Sequence, residues 1–199
     1  DFLGINEANL GGNNVNYFIS RQISQKVMIE PDGSISEELT INYKNNSTSL
    51  PGTDYKNYLR IILPKDANLS EMSIQDVPQV LADAVTDPLV YEKKNFKPPL
   101  GLEVERAIEE EKTIYGFPVN IPAGELTKIK IKYFVPRKNT FDSGSFSYNL
   151  KIFKQPGIDN LPYSFSLEFP NSYRVTEGKT SYSKKIVKDE SLIVGFAKK

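Results

Sequence analysis

The stretch "GLEVERAIEEEK" (101–112) sets two carboxylates, Glu103 and Glu105, two positions apart, with three more at Glu109, Glu110 and Glu111. On a strand, residues two apart share a face and lie about 7 Å from each other, two rises of about 3.3 Å. A glycosidase needs that kind of separation, because an acid and a base or nucleophile must flank one bond. The same pattern is also the wet face of an ordinary strand, since Leu102 and Val104 alternate with the glutamates. Glu109 to Glu111 read as a solvated hairpin tip. On the wet-face reading the chain has no catalytic residues and is not an enzyme.

Other chemistries are limited by what is missing. There is no His, no Cys and no Trp. A Ser-His-Asp or Cys-His arrangement is therefore excluded, as are disulfides and zinc–thiolate sites. Calcium needs several oxygen ligands around a tight turn. The loop "EPDGS" (30–34) offers two acids and "TFDSGS" (140–145) and "QPGIDN" (155–160) one each, well short of a calcium loop, so no metal and no cofactor is expected. In "NLGGNNVNYFISRQI" (9–23), Gly11 and Gly12 could line a phosphate loop or make a turn. The run that follows alternates Val15, Tyr17 and Ile19, which predicts a strand and favours the turn.

Lys+Arg and Asp+Glu both number 25, so the net charge is zero and no long-range field draws the chain to nucleic acid. Lys128, Lys130 and Lys132 form one positive strip, and Lys184 with Lys185 another. Lysines on exposed strand faces and edges guard sheets against aggregation, and that reading is preferred over nucleic-acid binding. The chain holds 11 Tyr and 11 Phe, and a Tyr-lined face could serve as a platform for sugars.

The elements that would position these residues have period two. "SISEELTINYKN" (34–45) puts Ile35, Leu39, Ile41 and Tyr43 on one side. "ELTKIKIKYFVP" (125–136) does so with Ile129, Ile131 and Tyr133. "GSFSYNLKIF" (144–153) and "YSFSLEFP" (163–170) repeat the pattern. Such alternation predicts half-buried antiparallel strands. Asp-Gly in "EPDGS" is a hairpin signal. Pro64, Pro136 and Pro170 close strands. "VPQVLADAVTD" (77–87) predicts a short helix ended by Pro88.

The fold class that follows is all-β: an antiparallel β-sandwich, immunoglobulin-like in general architecture, with about ten strands and one irregular or short-helical insertion around 76–100. The preferred organisation is one extended sandwich over 1–199. The alternative is a sandwich over 14–136 followed by a small β unit over 137–199. "NYLRIILPKDANLSEMS" and "YSFSLEFPNSYRVTEGK" echo each other, either as a duplication or as the common grammar of sandwich corners. "SLPGTDY" (49–55) only approximates a sortase signal and is rejected. "NNST" (45–48) and "NLS" (68–70) match glycosylation sequons and mark exposed loops.

Three segments in order, "NEANLGGNNVNYFISRQI", "YKNYLRIILPKDANL" and "IPAGELTKIKIKYFVP", resemble the C-terminal part of bacterial proteins of domain-of-unknown-function family 4012. The second carries the family's Tyr-x-Asn-Tyr-Leu-Arg-x-x-x-Pro pattern at Tyr55, Asn57, Tyr58, Leu59, Arg60 and Pro64. Asn14 stands where the family pattern has Lys, and the 76–100 insertion is longer than in the family. The resemblance implies a bacterial surface protein anchored by an upstream transmembrane helix, with its bulk outside the cytoplasm. It implies no activity and no site residues. The expectation is therefore a non-enzymatic extracytoplasmic structural or interaction module. Its partner would be a protein or a cell-wall polysaccharide, which leaves a carbohydrate-binding module as the alternative and a glycan-active enzyme as a more distant one.

Overall fold

Alternation of apolar and polar side chains builds the framework. In the strand Ile35–Asn45, Leu39, Ile41 and Tyr43 turn inward and are almost wholly buried, while the residues between them face water. The computed structural model describes residues 1–47, 53–136 and 144–199. The near-sortase segment, the sequon at 45–48 and the acidic loop at 140–145 lie wholly or partly outside these residues.

In chain order the strands are β1 (Phe2–Asn9), β2 (Ile19–Ile29), β3 (Ile35–Asn45), β4 (Tyr55–Pro64), β5 (Asn68–Ile74), β6 (Val77–Pro78) and β7 (Leu81–Asp83). A single helical turn, α1 (Pro88–Tyr91), follows. Then come β8 (Leu102–Glu109), β9 (Lys112–Ile121), β10 (Leu126–Val135), β11 (Ser145–Phe153), β12 (Leu161–Glu168), β13 (Tyr173–Glu177), β14 (Ser181–Ile186) and β15 (Glu190–Lys198). They form a β-sandwich. One sheet has the order β13-β15-β11-β1-β4-β9-β8-β7 and the other β14-β12-β2-β3-β10-β5-β6. One apolar cluster, running from Leu3 to Phe196, fills the space between them.

The sheets are mixed rather than purely antiparallel. β11 joins β1 in parallel, with Leu3 beside Ile152. β12 joins β2 in parallel, with Tyr163 beside Ile23. β7 also pairs β8 in parallel. Hairpin grammar cannot reveal these contacts, because parallel partners need a crossover and are distant in sequence. Strands after residue 144 thus extend both sheets along two parallel seams.

The Asp-Gly hairpin forms as expected. Gly33 adopts φ 87°, and Ser34 N donates to the Asp32 carboxylate at 2.9 Å. The sequence echo also has a structural basis. β4 crosses to β5 and β12 to β13, each passing from one sheet to the other. Both corners turn on a proline carbonyl, Pro64 accepting from Ala67 N at 3.2 Å and Pro170 from Tyr173 N at 3.0 Å.

Two local expectations are corrected. The 77–87 segment is not helical. Gln75 and Asp76 both take positive φ, so the chain folds back as β6 and then runs on as β7. Pro88 starts α1 instead of ending a helix, a position where its missing N–H costs nothing, and Asp87 caps the turn by accepting from Leu89 N at 3.0 Å. Val15–Phe18 is a 3-10 turn rather than strand. Val15 is buried, but Tyr17 and Phe18 project outward, at 82% and 54% exposure.

β1 runs alongside β11, and β15 runs back down it with Ala197 opposite Ser145. The first strand therefore starts beside Lys151 and runs toward Asn9, while the last strand runs the opposite way and finishes beside Ser145, six positions or about 20 Å further along β11. Asn9, Ile19 and the 155–160 loop lie at the opposite end of the sandwich from Ser145.

Candidate functional site

The tyrosines do not line an outer face. Most of them point inward, and burying a phenol requires an acceptor for its hydroxyl. That need explains the acidic and amide groups found inside. Glu7 on β1 accepts from Tyr43 and Tyr55, each at 3.0 Å, and from Arg21 Nε at 2.8 and 2.9 Å. The Arg21–Glu7 pair is nearly dry, with side-chain exposures of 12% and 3%. Burial opposes the charge on Arg21, but hydrogen bonding and the charge of Glu7 outweigh it and hold the guanidinium above its usual value. Burial, then Glu7, raises the Tyr43 and Tyr55 hydroxyls well above the ordinary phenol range.

A second cluster lies deeper. Glu37 Oε2 accepts from Gln25 at 2.5 Å and from Tyr133 at 2.7 Å, and Gln25 in turn accepts from the Tyr163 hydroxyl. Glu37 Oε1 has no partner among the described residues. Desolvation lifts this carboxyl to about 7, against the pull of its Tyr133 and Gln25 hydrogen bonds. The Glu7 cluster draws its partners from the protein, whereas Glu37 keeps one oxygen without a partner among the described residues.

The 3-10 turn, the end of β1, the 155–160 loop and the end of β14 surround a concavity of about 670 Å³, with the Glu7–Arg21 pair in its wall. Gln155 ties the loop to β1. Its amide donates to Glu7 O at 3.0 Å and its oxygen accepts from Glu7 N at 2.8 Å. Asn9 holds the turn by accepting from Gly11 N at 2.9 Å and donating to Asn13 O at 2.6 Å. Among the described residues, no hydrogen bond or ion pair engages the lining side chains of Asn16, Tyr17, Asp159, Asn160 and Lys185. Gly12 takes φ 64° in the turn, and Gly11-Gly12 leads into a single 3-10 turn with no helix N-terminus behind it.

The other residues singled out from sequence have structural partners. Glu103 and Glu105 do lie two apart on β8, but each is engaged separately. Glu103 accepts from Val85 N at 3.0 Å and from Tyr91 at 3.1 Å, pinning the insertion to the sheet. Glu105 accepts from Tyr58 at 2.6 Å, and burial followed by that contact pushes Tyr58 to about 12. Glu109 and Glu111 pair with Arg60 and Lys65 at the hairpin tip. The Lys128–Lys132 strip sits on β10, in the interior of its sheet rather than at an edge. Lys128 pairs with Asp76 at 2.7 Å and Lys132 with Glu71 at 2.8 Å, while Lys130 approaches Glu38 at 4.0 Å. Lys184 and Lys185 do lie on an edge strand. Among the described residues, no group of Asp or Glu side chains is placed to hold a metal ion, and no helix is long and apolar enough to cross a membrane.

No family model matches the chain, and no curated protein matches its sequence. Solved structures with a similar course include a protein described as nutrient binding from Legionella pneumophila. It is 9% identical, with a TM-score of 0.45 over 90% of this chain and 67% of that one. Leukotriene A4 hydrolase from Saccharomyces cerevisiae is likewise 9% identical, with a TM-score of 0.48 over 90% of this chain and 29% of its own. Likenesses this distant carry no functional assignment.

Proposed function

We propose that this chain is a non-enzymatic, extracytoplasmic interaction module of a bacterial envelope protein of the kind represented by domain-of-unknown-function family 4012. The observation that carries this reading is the placement of the chain ends. β1 runs toward the concavity and β15 runs away from it, so both chain ends lie on the side away from its lining. A module tethered by its ends would present that concavity outward. The carboxylates with catalytic spacing, Glu103 and Glu105, act instead as hydrogen-bond acceptors that hold the insertion and Tyr58.

The test is retention. The protein, immobilised through its chain ends, is expected to hold purified Gram-positive cell walls or a defined envelope protein under conditions where it cleaves no glycoside or ester panel. Turnover of any such substrate that disappears in E103Q/E105Q would replace this reading with the enzymatic one.

A further inference from the structure

We propose that the concavity between the 3-10 turn and the 155–160 loop binds a neutral saccharide, a site that rests on the interaction-module reading above and names its ligand chemistry. On the outer faces, Lys128, Lys132, Lys184, Arg60 and Lys65 are each ion-paired. The lining of the concavity differs. Asn16 and Asn160 bring amides whose donors and acceptors no described residue engages, and a sugar hydroxyl needs that combination because it gives and takes a hydrogen bond at once. Asp159 adds an acceptor and Lys185 a donor, and their charges cancel.

The wall itself contributes no net charge, because Arg21 and Glu7 neutralise each other at 2.8 Å. A polyanion therefore finds no excess positive potential here. Tyr17, at 82% exposure, offers a flat ring at the rim with no structural task for its hydroxyl. About 670 Å³ falls in the range of small-ligand sites, roughly 300–1,000 Å³. The site is also pre-shaped: Gln155 clamps the loop to β1 through two hydrogen bonds, and Asn9 fixes the turn. Little ordering remains to be done on binding.

The experiment uses the whole chain on an array of neutral, sulfated and sialylated oligosaccharides together with peptides. Amide chemical-shift mapping with the best neutral glycan follows. The expected result is binding to a neutral glycan, with shifts centred on Asn16, Tyr17, Asp159 and Asn160. Y17A and N160A, both at exposed positions, should weaken it at least tenfold while leaving the melting temperature unchanged. Silence of the neutral set overturns the saccharide site, as does binding only to sulfated glycans or peptides, or affinity indifferent to Y17A and N160A. Cell-wall retention that survives those substitutions would sink this site and keep the interaction module. Loss of retention in the unaltered protein would sink the module itself.

Discussion

Tyr133 and Glu37 face each other across the β3–β10 pairing and join at 2.7 Å, although 96 residues separate them in the chain. The pair is fully inside the sandwich, and its carboxyl is pushed to about 7 by burial. A phenol that needs an acceptor and a carboxyl that needs donors satisfy each other where neither could be buried alone.

This carboxyl makes stability depend on pH. Its folded value lies above its ordinary 4.5, so between those limits the folded state holds a proton that the unfolded chain has released. The stabilisation is fully present below about 4.5 and is lost as pH rises through 7. E37Q should flatten this part of the profile and gain roughly 3 kcal/mol over the parent at pH 8, from 1.36 kcal/mol per pKa unit. Urea denaturation of both proteins from pH 4.5 to 8 reads it. Parallel profiles would remove Glu37 as the cause.

Arg21 neutralises a carboxylate with little access to water. R21M leaves Glu7 charged and dry beside Tyr43 and Tyr55, and should cost about 3–5 kcal/mol. R21K should recover only part, because a lysine ammonium cannot reproduce the forked contact. Equal stability of R21M and parent in guanidinium denaturation would contradict the dry pair.

Asn57 is 1% exposed, and neither its amide nitrogen nor its oxygen has a partner among the described residues. An unpaired buried amide costs about 1–3 kcal/mol. N57V suits the strand and should stabilise by about 1 kcal/mol, moving the melting temperature up by roughly 2–4 °C. A fall in that temperature would mean the amide is bonded in solution.

Two hairpin turns place non-glycine pairs at positive φ: Gln75-Asp76 at 52° and 61°, and Glu110-Glu111 at 45° and 61°. Such two-residue turns favour Asn-Gly. Replacing Glu110-Glu111 with Asn-Gly should relieve about 1 kcal/mol of backbone strain, less the small surface contribution of the Lys65–Glu111 pair. Differential scanning calorimetry checks it, and a lower melting temperature would count against strain at this tip.

Much of this architecture is written in local pattern. Ile129, Ile131 and Tyr133 face inward as their spacing demands. Glu37 falls in phase between Ile35 and Leu39, a signal of its burial that the apolar pattern alone passes over. Its partner was not legible, because cross-strand register joins positions that share no local signal. Local propensity misplaced the helix, since the tertiary hairpin after Ile74 outweighs the weak spacing of Val80, Leu81 and Ala84. The Asn-rich opening and "QPGIDN" each stood out singly, but only the parallel seam between β1 and β11 brings them to one concavity.

Those seams also set an order of events during synthesis. β1 and β2 leave the ribosome about 140 residues ahead of β11 and β12, a delay of roughly 7–30 s at 5–20 residues per second. Through that interval both leading strands carry bare edges, open to mispairing with other nascent chains. The late strands β11 and β12 close those edges when they add to β1 and β2 in parallel.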